Sequence, residues 1–92
     1  MEDIEIKKEE QINEGWRFLV EVNSEGNKIE YLVVLDKEYW EKLTDGRYTP
    51  KELIVRSFKF LLERESKESI LKKFNLLEIN RYFPEYESEI KK

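Results

Sequence analysis

Five serines and two threonines are the hydroxyl nucleophiles of this chain, and no histidine or cysteine stands beside them. A hydroxyl attacks only when a neighbouring base takes its proton. Ser24 lies in a turn sequence, and Ser66 and Thr49 stand where helices should begin. Ser57 falls inside an apolar helical stretch, where a small residue lets another element approach closely. Zinc sites, disulfides, thiol chemistry and imidazole catalysis go with the missing residue types. Gly15, Gly26 and Gly46 are too scattered to build a phosphate loop or a dinucleotide fingerprint. Glu85, Glu87 and Glu89 alternate near the C-terminus, without the central glycine and Asp/Asn run of a calcium loop. They read as a solvated acidic tail. Hydrolysis by paired carboxylates would need two acids converging on a cleft, and no pair is singled out. The expectation is a non-enzymatic protein without a cofactor.

Aromatic side chains are the remaining candidates for function. Tyr39-Trp40, Tyr48 and Tyr82-Phe83-Pro84-Glu85-Tyr86 cluster at expected helix ends and in the C-terminal segment, with Arg47 and Arg81 beside two of them. Tyrosine and arginine are favoured anchors of protein interfaces. Tyr39, Arg47, Arg81, Tyr82 and Tyr86 are therefore the candidate interaction surface. The alternative is that these aromatics complete a small core, since each buries much area.

The elements that would carry these residues follow from periodicity. Trp16, Phe18, Val20 and Val22 alternate, and so do Ile29, Tyr31, Val33 and Leu35. Each set lines one face of a strand. Ser24-Glu25-Gly26-Asn27 joins the strands, with Gly and Asn available for positive φ. Pairing Val22 with Ile29 brings Trp16 opposite Leu35 and matches the faces throughout; a slip of one residue would mix them. Leu19, Leu32 and Val34 make the opposite face half apolar, so a cover over part of it is expected. Ile4 and Ile6 alternate with charge and suit an edge strand.

Asp36 is placed to cap a short helix that stops at Thr44-Asp45-Gly46, with Gly46 left-handed. Thr49-Pro50-Lys51-Glu52 is a capping box with proline at the first helical position, opening a helix to about residue 65. Its apolar residues, among them Leu53, Ile54, Phe58, Leu61 and Leu62, cover an arc of roughly 220°. That is more than one contact surface needs, so this face is either the central core helix or half of a homodimer interface. Ser66 can cap another short helix carrying Ile70, Leu71 and Phe74. Asn75-Leu76-Leu77-Glu78 repeats the capping box, and the helix it opens ends before Pro84. Residues 88–92 are expected to fray.

The chain has 92 residues, room for a single domain. Its expected parts are an acidic segment with an edge strand (1–14), a β-hairpin (15–35), a helical part (36–83) and a C-terminal segment (84–92). The fold class is α+β: an N-terminal antiparallel hairpin or three-strand meander packed on three to four helices. Aromatic residues at 13% argue against disorder. The net charge of −4 sits in residues 1–14, which hold six acids and two bases, and the remainder is neutral. No basic stripe is present, so nucleic-acid binding is disfavoured. No apolar run approaches a membrane span, and no signal-peptide pattern opens the chain, so the cytoplasm is the expected compartment. The Lys/Glu-rich, cysteine-free composition is similar to that of heat-adapted proteins.

Two resemblances follow. Tyr31-Leu32-Val33-Val34-Leu35-Asp36 and Thr49-Pro50-Lys51-Glu52-Leu53-Ile54, in the order strand, helix, helix, resemble a ribbon-helix-helix module over about 38 residues. That resemblance implies a small DNA-binding regulator or antitoxin-like protein whose strand pairs with its twin. Trp16-Arg17-Phe18, Phe58-Lys59-Phe60-Leu61-Leu62-Glu63-Arg64-Glu65, Ile70-Leu71, Phe74 and Tyr82-Phe83-Pro84-Glu85-Tyr86 together resemble a group of short prokaryotic proteins of uncharacterised function. This resemblance implies a stand-alone domain and brings no activity. The functional expectation is a protein–protein interaction module, its partner a second copy of itself.

Overall fold

Alternating apolar residues build the sheet. The computed structural model describes residues 2–92. Strands β1 (Asp3–Ile12), β2 (Gly15–Ser24) and β3 (Asn27–Asp36) form an antiparallel meander. Val22 pairs with Ile29, Val20 with Tyr31, Phe18 with Val33 and Trp16 with Leu35, the register that matching faces require. Glu25 and Gly26 both take positive φ (54° and 82°), so a two-residue turn closes the hairpin and Asn27 already belongs to β3. At Gly15, which pairs with both Ile12 and Asp36, a Cβ would collide with the Leu35 carbonyl oxygen. Only glycine lets β2 lie this close to β3 there.

A bulge between Ile6 and Lys8 interrupts β1. Ile4 and Ile6 lie opposite Val22 and Val20, and beyond the bulge the strand is mostly charged and exposed. Charge and a bulge on an edge strand discourage pairing with another chain.

Helices α1 (Lys37–Thr44) and α2 (Pro50–Leu62) follow β3. Asp36 precedes α1 but makes no side-chain cap; its carboxylate accepts from Asn75 Nδ2 at 3.3 Å instead. The expected stop at Gly46 involves two residues, since Asp45 (φ 51°) and Gly46 (φ 75°) are both left-handed. The Thr49/Glu52 box is complete: Thr49 Oγ1 accepts from Glu52 N at 3.1 Å, and Glu52 Oε1 accepts from Thr49 N at 2.8 Å. Hydrogen bonding to Thr49, that of its backbone N–H first, holds the Glu52 carboxyl below its ordinary range.

The chain departs from expectation after α2, which ends at Leu62 and not near residue 65. Ser66 caps no helix. Its hydroxyl meets that of Ser69 at 3.1 Å across a single 3-10 turn, Lys67–Ser69. The segment expected to be helical through Phe74 instead becomes β4 (Lys73–Asn75), parallel to β3, with Phe74 opposite Val33. The free edge of β3 supplies the partner: Leu32 N–H donates to Lys72 O at 2.7 Å. The sheet order is therefore β1-β2-β3-β4, and β3 is hydrogen-bonded on both sides. A ribbon-helix-helix strand offers an edge to its twin; here β2 pairs along the whole of one side of β3, and β4 takes Leu32–Val34 on the other.

Asn75 and Glu78 form the second capping box, opening a 3-10 turn that leads into α3 (Ile79–Tyr82). α4 (Tyr86–Ile90) closes the chain, and Ile90 is buried, so the helix holds where fraying was expected. The fold is α+β, a four-stranded sheet whose meander is followed by helices.

The core lies between the sheet face bearing Phe18, Val20, Val22, Tyr31, Val33 and Leu35 and helix α2. Phe58 stands at its centre, 5.2 Å from the Tyr31 ring and 6.1 Å from Phe74. Leu53, Ile54, Phe58 and Leu61 are at most 3% exposed, and Leu62 is half-buried. The wide arc of α2 is thus core within one chain, because β4 and α4 close around sides that the sheet alone would leave open. It offers no face for a two-fold partner. On the other side of the sheet, Leu19, Leu32 and Val34 are half-buried. The N-terminal strand lies beside them in the sheet rather than over them, with Lys8 and Lys73 ending the Leu19–Leu32 row.

Candidate functional site

The five residues of the expected interaction surface do not come together. Tyr86 is fully buried. Its hydroxyl and that of Ser57 lie 2.6 Å apart, while Ser57 donates to Leu53 O at 2.7 Å. The small residue on α2 thus makes room for a tyrosine from α4. Tyr39 is also buried; its hydroxyl donates to Glu87 Oε2 at 2.9 Å, and Lys42 pairs with the other oxygen of that carboxylate at 3.4 Å. Burial raises both phenols far above their ordinary range, and the Glu87 bond adds to it at Tyr39. Neither tyrosine is an exposed anchor: α4 folds back on α1 and α2 and takes both into the core. Arg47 is exposed, with its Nε on the Thr44 carbonyl at 3.2 Å, closing the end of α1. Arg81 and Tyr82 alone sit side by side on the surface.

One feature of the surface gathers apolar groups. An open groove of about 350 Å³ runs between the segment 69–74 and α3. Leu61, Ile70, Phe74 and Ile79 lie buried at its floor. Leu71, 51% exposed, and Tyr82, 66% exposed, border it. Among the described residues, these two are the large hydrophobic side chains that the fold leaves exposed. Isolated apolar residues on a surface are ordinary; these two border one apolar depression.

Local sequence sets this geometry. The 3-10 turn and β4 bury Ile70 and Phe74, which leaves Leu71 between them pointing outward. The Asn75/Glu78 box fixes the direction of α3. Pro84 stops α3, and Phe83 turns inward, edge-on to Phe60 at 5.9 Å. Tyr82 is left outside. Arg64 locks the turn from the other side: its guanidinium stacks 3.6 Å above the Phe60 ring and its Nε meets Glu85 Oε2 at 3.2 Å.

The charged residues of the groove's lining, Glu65 and Glu78, are both acidic. Glu78 accepts from Asn75 N–H at 2.9 Å. Among the described residues Glu65 has no ion-pair partner, and neither have the exposed bases Lys72, Lys73 and Arg81 that adjoin Leu71 and Tyr82 in the chain. Sequence reasoning missed Leu71 because it placed the residue on a helix. The signal it could have used is the pair Lys72-Lys73, which ends the apolar run just after Leu71.

A second constellation has the geometry of a serine–lysine pair. Lys67 Nζ lies 2.6 Å from Ser24 Oγ, and Lys67 is 6% exposed. Glu68 lies 3.5 Å from the same nitrogen, and the Lys67 carbonyl accepts from the Tyr31 hydroxyl at 2.6 Å. Both contacts are those of a structural tie between the β2–β3 hairpin and the 3-10 turn. The pair lies outside the groove. Among the described residues, no group of three His, Cys, Asp or Glu could hold a metal ion, and no helix is long and apolar enough to cross a membrane.

Comparison with protein-family models, with curated proteins and with solved structures finds no match for the chain.

Proposed function

We propose that this protein is a non-enzymatic protein–protein interaction module and that the groove between β4 and α3 is its contact surface. The observation that carries the reading is the convergence of the two exposed large apolar side chains, Leu71 and Tyr82, on one groove. A volume of about 350 Å³ is at the low end for a small-molecule pocket, and the groove is open to solvent and mostly apolar. It suits a few side chains of a protein partner. Of the seven serine and threonine hydroxyls, Ser57, Ser66, Ser69, Ser88, Thr44 and Thr49 are engaged in local bonds, and Ser24 accepts from Lys67 in the tie between the hairpin and the 3-10 turn.

The test is photo-crosslinking in cells, with a photoreactive amino acid in place of Leu71 and, as a control, in place of Lys28 on the exposed hairpin end. Irradiation is expected to yield a discrete protein adduct from position 71 and none from position 28. Adducts of equal yield from both positions, or none from position 71, would refute the reading.

A further inference from the structure

We propose that the groove's occupant is a second copy of this chain, docked across a two-fold axis so that each copy sets Leu71 and Tyr82 against the other's groove. The inference rests on the interaction reading above and adds the partner and its orientation. An isologous contact needs a patch that complements itself, both in shape and in charge. This patch does. Its depression is apolar, and Glu65 and Glu78 are the charged residues in its lining. Its raised borders are Leu71, followed by exposed Lys72, and Tyr82, preceded by exposed Arg81. Each apolar projection thus brings a base beside it, and the groove that would receive it offers an acid.

Other routes to self-association are closed or weaker. The apolar arc of α2 is consumed inside the chain. Edge strand β1 carries a bulge and alternating charge. At the other sheet edge, β4 is three residues long, and Glu78 already holds the Asn75 N–H. The open sheet face is crossed by the Glu10–Arg17 pair, at 2.9 Å, between its apolar residues. A contact confined to the groove is small, so the dimer belongs with weak assemblies of about micromolar dissociation constant.

The experiment exploits the predicted charge pattern. One variant carries Glu65→Lys; the other carries Lys72→Glu with Arg81→Glu. Glu78 is left intact because it caps a helix. Each variant paired with itself sets like charges together, whereas a mixture of the two restores opposite charges at both sites. Because the chain has no cysteine, a single Lys28→Cys on the hairpin end accepts a fluorophore, and association is read by energy transfer. The wild type is expected to self-associate, each variant about tenfold more weakly, and the mixture to regain most of the lost affinity. Circular dichroism of each variant verifies that it is folded. Variants that associate like the wild type, or a mixture no tighter than its parts, would overturn the proposal. So would a wild type that does not self-associate, and in that case a crosslinked adduct of a different protein at position 71 would leave the interaction reading standing.

Discussion

Replacing Tyr86 by alanine should cost about 4 kcal/mol of stability, the range for truncating a fully buried aromatic. The ring is 0% exposed and edge-on to Phe60 at 5.1 Å, and its hydroxyl meets Ser57 at 2.6 Å. Truncation opens a cavity where α4 docks on α2, and it removes a partner of a buried hydroxyl. Against a total of about 5–15 kcal/mol for a domain, that loss is large. In urea unfolding, the midpoint should fall by about 2 M at an ordinary denaturant slope. Tyr86→Phe keeps the ring and should cost about 1 kcal/mol, because Ser57 retains the Leu53 carbonyl. Tyr82→Ala should lie within about 0.5 kcal/mol of the wild type, as an exposed side chain does. Equal effects at positions 82 and 86 would show that Tyr86 is not the keystone of the C-terminal segment.

Alkali should unfold the protein through its buried phenols. Burial first, and the carboxylates of Glu68, Glu2 and Glu65 after it, push Tyr31 up to about 12. Tyr39 and Tyr86 move in the same direction, again chiefly through burial. A phenol whose folded pKa is raised stabilises the fold fully at pH values below its unfolded pKa near 10. That contribution is lost as pH climbs from there through the folded value. For Tyr31 alone the loss amounts to about 3 kcal/mol once pH exceeds about 12. The Tyr31 proton is also the one donated to Lys67 O, so ionisation breaks the tie between the hairpin and the 3-10 turn. Tyrosinate absorbance and circular dichroism followed together above about pH 9 should show these phenols ionising only as ellipticity collapses. Ionisation of all the tyrosines with ellipticity unchanged would contradict the burial described for Tyr31, Tyr39 and Tyr86.

What could be read from the sequence was local or strictly periodic. The β2–β3 register follows from two sets of alternating apolar residues, which only one pairing superimposes. Both capping boxes, Thr49/Glu52 and Asn75/Glu78, lie within four residues and form as written. β4 could not be seen this way. It holds one apolar residue, Phe74, and it exists because β3 has a free edge and Val33 lies opposite. Nor could the aromatics be sorted into inside and outside. Tyr82 and Tyr86 are four residues apart in one motif, but Pro84 breaks the helix between them and sends one to water and the other to the core. The groove was hidden for the same reason, since its borders are set by β4 and by the end of α3.

The measurement that tests the account most directly is the molar mass of the unmodified protein in solution, by light scattering on a sizing column at low and at high salt. The chain is 11.3 kDa. Self-association through the groove predicts a mass that rises toward twice this value with concentration at low salt. High salt should lower it, because the bases at the groove's borders and the acids in its lining would be screened. A mass equal to one chain at every concentration and salt would contradict self-association through the groove. A dimer indifferent to both Leu71→Glu and salt would contradict it as well, and would move the contact to another surface.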